Sequence, residues 1–143
     1  MERDRIGRLA LALLFFSALS IGLTATVFPR TFYDDFPFLT QWVELLPPFN
    51  EHLVTDVGGL YLGFAILFGW AAWHFERQLV RPLCIAWLVT ASLHLLFHAE
   101  HLERFGTADA IAELTSLALL LAPAAVALWA CRPEGPPPRA ERP

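Results

Sequence analysis

Residues 9–28 read LALALLFFSALSIGLTATVF, a run with no charged side chain. Wound as an α-helix at about 1.5 Å per residue, a run of this length spans about 30 Å, the thickness of a bilayer's hydrocarbon layer. Pro29 closes it, because proline cannot continue the hydrogen-bonded ladder. An arginine-bearing stretch before an apolar run also marks secretory signal peptides. This run is longer than their apolar core and lacks a convincing A-x-A site, so it reads as a retained transmembrane helix.

Three further apolar blocks follow, at about 50–73, 82–101 and 107–131. Asn50 is a candidate N-cap for the second. The turn HFERQLVRP (74–82) leads into the third, with Pro82 expected in its first turn. RFGTAD (104–109) precedes the fourth, with Thr107 as a capping candidate, Asp109 in the first turn and a kink expected at Pro123. The segment TFYDDFPFLTQWVELLPP (31–48) suits a membrane interface, where rings such as Tyr33 and Trp42 settle, and part of it is expected to lie on the membrane surface.

The fold class is all-α, a four-transmembrane-helix bundle forming one domain over 1–131. The polar, proline-rich tail RPEGPPPRAERP (132–143) is expected to be disordered. Composition agrees. With 56% hydrophobic and 17% charged residues, and a mean hydropathy of +0.49, too little polar surface is available to cover a soluble core. A net charge of −4 without a basic run gives nucleic-acid binding no electrostatic support. Cys84 and Cys131 have no CxxC or zinc-ribbon spacing and read as small packing residues.

All ten basic residues are arginine. Arg3, Arg5, Arg8, Arg77, Arg81, Arg132, Arg139 and Arg142 fall on one side of the four spans, against Arg30 and Arg104 on the other. The positive-inside rule puts both termini in the cytoplasm of a multi-pass plasma-membrane protein.

That topology gathers the ionisable residues at the outer face. Glu51, His52 and Asp56 begin span two, His94, His98, Glu100 and His101 end span three, and Asp109 and Glu113 begin span four. At helical spacing His94, His98 and His101 share one stripe, extended inward by Thr90. His52 and Asp56 share a face that continues as Gly59 and Gly63, a GxxxG pair expected to admit a neighbouring helix. Trp87, on the histidine face, reads as packing rather than as a redox relay.

Ionisable groups in hydrocarbon cost about 2.5–3.5 kcal/mol each unless they are paired or hydrated, so a convergent set implies mutual satisfaction around something. Imidazoles at i, i+4 can grip one metal ion, with a carboxylate from a facing helix completing the shell. The candidate ligands are His94, His98, His52, Asp56 and Glu113, with His101, Asp109 and Glu51 behind them. Zinc, iron, manganese and copper all suit such a set, and two histidines from different helices could instead clamp a haem. A structural polar network has equal weight, and a proton or ion path or a polar substrate pocket has less.

The segments PFNEHLVTDVGGLYLG (48–63), HLLFHAEHL (94–102) and FGTADAIAE (105–113), taken together, resemble a group of small bacterial four-helix membrane proteins without assigned activity. These are similar in layout to the DoxX-like superfamily, and the likeness runs from about residue 8 to about residue 130. Some DoxX-like members are associated with quinone-linked thiosulfate oxidation or partner redox enzymes. No catalytic motif of theirs is present, so the resemblance implies the fold and leaves activity open. Three functions follow as expectations: a membrane metalloprotein or haem protein with redox activity, a non-catalytic subunit or scaffold, and a small transporter. The partners expected are the lipid bilayer and either a homo-oligomer or a membrane redox partner.

Overall fold

A computed structural model describes residues 1–37, 40–46 and 48–132. Six helices follow in order: α1 (Glu2–Val27), α2 (Pro29–Asp35), α3 (Glu51–His74), α4 (Arg77–Glu100), α5 (Thr107–Leu119) and α6 (Leu121–Ala130). No strand occurs among the described residues. Helices α1, α3, α4 and the combined stretch Thr107–Ala130 are each long and apolar enough to cross a membrane. The tail expected to be disordered, beyond Arg132, lies outside the described residues.

The ends of the helices follow local chemistry. Asn50 caps α3, its Oδ1 accepting from the Leu53 N–H at 3.1 Å. Pro29 ends α1 and serves as the first residue of α2, where its missing N–H costs nothing. Helix α1 starts at Glu2, well before the apolar run, because the charged first turns need only reach water to stay helical. Helix α4 starts at Arg77, so Pro82 lies inside the helix and not in its first turn. Thr107 is the first helical residue of α5 and not its cap; Gly106 holds that position and no side chain caps the end.

The fourth span breaks where Pro123 predicts. Without an N–H, proline leaves the carbonyl four residues back unpaired and crowds it, and the helix divides at Leu120. The indole Nε1 of Trp87 donates to the Leu120 carbonyl at 3.2 Å, satisfying a backbone acceptor at the break. Trp87 is buried, with the rings of Tyr61, Phe64 and Phe68 edge-on to it at 5.3–5.8 Å. It acts as packing, joining α3 to α4 through side chains rather than close backbone contact.

Helix α1 is the hub. One stripe of it, Gly7, Leu11, Leu14, Ala18, Gly22 and Ala25, is buried, and the helix packs against α3 and α6 while α4 packs against α5 and α6. Small residues let the backbones meet. A Cβ on Gly22 would lie 2.9 Å from the Leu62 N, and one on Gly58 would lie 2.8 Å from the Thr26 N. The close approach therefore uses Gly58 of α3. Gly59 and Gly63, expected from the GxxxG spacing to admit a neighbouring helix, have nothing within 4 Å. Adjacent residues lie about 100° apart around a helix, so a shift of one position exchanges a packed face for an open one.

The outward surface is apolar. Leu13, Phe16, Ile66, Leu93 and Ile111 are each more than 60% exposed, a distribution that suits lipid and not water. Cys84 and Cys131 are buried free thiols within the core.

One end of the bundle gathers residues 1–8, the α3–α4 turn and the end of α6. Arg3 donates to the Trp129 carbonyl at 2.7 Å and Arg8 to the Ala72 carbonyl at 2.7 Å, with further bonds from Arg8 to the Trp73 and His74 carbonyls. Each arginine thus satisfies the carbonyl end of a helix that α1 packs against, and its charge opposes that helix's dipole. Phe75, in the left-handed region at φ 53°, ends α3, and its ring lies against Gly7 and under the Arg8 guanidinium. Arg8→Ala is expected to lower unfolding free energy in detergent by about 1.5–3 kcal/mol, as befits loss of charge-assisted hydrogen bonds. Arg5→Ala, which removes no such bond, serves as the unchanged control.

Candidate functional site

At the opposite end of the bundle, α4 presents its final turns to the start of α5. His98 and Glu113 are the buried polar residues there, at 6% and 2% exposure. Their side chains meet across the two helices, Nδ1 to Oε1, at 2.6 Å. The distance is that of an ion pair or a short hydrogen bond, yet Nδ1 satisfies no hydrogen-bond geometry, and Oε2 of Glu113 is buried without a partner. A buried carboxylate oxygen lacking a donor is costly, so the pair has unused capacity for a proton or another ligand.

Position follows from spacing and capping. Glu113 lies in the second turn of α5, a helix begun at Thr107, and faces inward as the buried residue of that helix. Ser116 continues its face and donates to the Glu113 carbonyl at 2.8 Å. His98 is near the end of α4. Four residues earlier His94 sets its ring 4.5 Å from that of His98, edge to face, but its side chain is exposed at the bundle surface. His101 follows the helix end, with Nδ1 2.7 Å from the Phe97 carbonyl and its ring stacked on Phe97 at 4.2 Å.

The other candidates stay apart from this pair. His52 and Asp56 form their own i, i+4 contact at 3.2 Å on α3, with side chains 87% and 59% exposed. Glu51 is exposed in the first turn of α3. Helices α3 and α5 make no close backbone approach, α5 being packed against α4 and α6. Asp109 accepts from the Trp42 Nε1 at 3.4 Å, which ties the connection between α2 and α3 to the start of α5. The convergence of three helices expected from the sequence is a meeting of two, α4 and α5.

Among the described residues no group of three or more His, Cys, Asp or Glu is arranged to hold a metal ion. The arrangement present is an imidazole–carboxyl pair, closed to solvent, with a second imidazole at its shoulder. The chemistry open to such a pair is exchange of a proton between nitrogen and oxygen without net charge change, or uptake of one proton with a change of one unit. Sequence reasoning named both residues, but it missed that Glu113 meets His98 while Asp56 does not. The chain matches no protein-family model, no curated protein and no solved structure.

Proposed function

We propose that this chain is a multi-pass protein of the cell membrane, with both termini cytoplasmic, that binds and releases a proton at His98 and Glu113 on its outer side. One observation carries the reading: an imidazole and a carboxyl in contact at 2.6 Å, both buried within membrane-spanning helices, with one carboxyl oxygen left unpartnered. Ionisable residues inside a span are expensive and mark proton relays or substrate paths by default. His94, its ring 4.5 Å from that of His98, supplies a second imidazole able to accept a proton at one nitrogen and release it at the other. Such a site would couple to a transported solute or a membrane redox partner, the latter in keeping with the DoxX-like resemblance.

A second reading is metal binding by His94, His98 and Glu113, favoured by the unpartnered Oε2 near two imidazoles. A third, that the pair only ties α4 to α5, follows from its position between those helices. Infrared difference spectroscopy of the protein in lipid, as pH is stepped, separates them. A protonated-carboxyl stretch that titrates, vanishes in Glu113→Gln and titrates at a different pH in His98→Gln is the expected result. No titrating carboxyl band at Glu113 would leave the pair a structural tie. Stoichiometric metal in the purified protein, lost in the double variant His94→Ala, His98→Ala, would replace the proton by an ion.

A further inference from the structure

On the outward side of the α1–α3 contact, toward the end of the bundle bearing residues 1–8, a groove of about 510 Å³ runs between the two helices. The small residues Ala12, Gly69 and Ala72 line it together with the rings of Phe15, Phe16 and Trp73. Arg5 and Arg8 stand at its terminal end, and no acidic side chain lines it. Arg8 is engaged with the carbonyls that end α3. Arg5 is exposed, and its guanidinium has no ion pair or hydrogen bond among the described residues.

Dimensions and polarity select the occupant. Arg5 and Arg8 precede the uncharged run 9–28, and from Leu9 to Phe16 the groove reaches about 10 Å along α1 at about 1.5 Å per residue, into a hydrocarbon layer about 30 Å thick. That lies within one leaflet. A ligand filling it would be apolar along its length and anionic at one end, the end where the arginines lie. Trp73, 80% exposed beside them, has the amphipathic ring that marks headgroup level. The geometry points to a binding site for one anionic phospholipid, with its phosphate at Arg5, beside the engaged Arg8, and an acyl chain between α1 and α3. This site is at the other end of the bundle from His98 and Glu113 and stands independently of the proton reading. A second protein helix fits less well, because the groove ends within one leaflet and is charged at its mouth, whereas a partner helix would run the full span.

Native mass spectrometry of the purified full chain tests the assignment. Phosphatidylglycerol and phosphatidylcholine of identical chains are offered in turn, with glycerol phosphate as a headgroup without tails. The wild type is expected to retain phosphatidylglycerol about five-fold better than phosphatidylcholine, the preference conferred by one arginine near a membrane surface. Arg5→Gln, a change at an exposed and unpaired residue, is expected to lose that preference while keeping its helical circular dichroism. Ala12→Phe, which adds bulk to the groove lining, is expected to reduce retention of both lipids. Equal retention of the two lipids by the wild type would overturn the site, as would an unchanged preference in Arg5→Gln. Retention of glycerol phosphate as strong as that of the lipid would assign the arginines to free phosphate and not to a lipid.

Discussion

Gly58→Leu is expected to cost about 3 kcal/mol or more, at the upper end of overpacking penalties. The new Cβ would press on the backbone of α1, 2.8 Å from the Thr26 N and 3.0 Å from the Ala25 carbonyl carbon. Backbone atoms in a helix cannot swing aside as a side chain can, so α1 and α3 must separate. That separation would open the interface from which the bundle is built. Gly59→Leu is the matched control: the same change one residue along, with nothing within 4 Å, should stay within about 0.5 kcal/mol of wild type. Equilibrium unfolding in mixed detergent and dodecyl sulfate micelles reads both. Equal effects of the two variants would mean that α3 is rotated from the position described.

The second large effect is expected at the buried pair. His98→Leu leaves both oxygens of Glu113 without a partner inside a span, and removing one member of a buried pair costs about 3–5 kcal/mol. Glu113→Leu strands the imidazole in the same way. The double variant His98→Leu, Glu113→Leu buries no orphaned polar group, and most of the loss should return, since apolar replacement of both partners is often close to neutral. A double-mutant cycle measures this directly. Additive losses would show that the two residues do not interact, and with them the proposed proton site would go. A double variant that recovers full stability is the signature of a pair that stability does not require, and the titrating carboxyl band of the wild type is what assigns the pair to proton binding.

The second of these expectations also separates the functional readings. A pure scaffold needs the α4–α5 contact only for stability, so the apolar double variant would serve it as well as the native pair. A proton site needs the polar groups themselves, at a stability cost that apolar side chains would avoid.

Several features are legible in the amino-acid chain alone. The four spans follow from the length of uncharged runs, the Asn50 cap from its side-chain oxygen, and the break in the fourth span from Pro123. Each depends on residues within a turn or two of one another, so local chemistry suffices. Helix starts are less legible: α4 begins five residues ahead of Pro82 because the polar turn before it is helical too, and hydropathy does not register polar helix.

Contacts between helices are decided elsewhere. Periodicity groups His98, Asp56, Glu113 and the glycines by face, but a face has no partner until the helices take an order around the bundle. That order, with α1 between α3 and α6 and with α4 against α5 and α6, brings Glu113 to His98 and leaves His52 and Asp56 at the surface. It also turns Gly58 inward and Gly59 outward. Hydrophobic length and capping are energies of single helices, readable residue by residue. The choice of neighbour is an energy of pairs, set by how small residues on one helix meet backbone on another, and it exists only once the helices have packed.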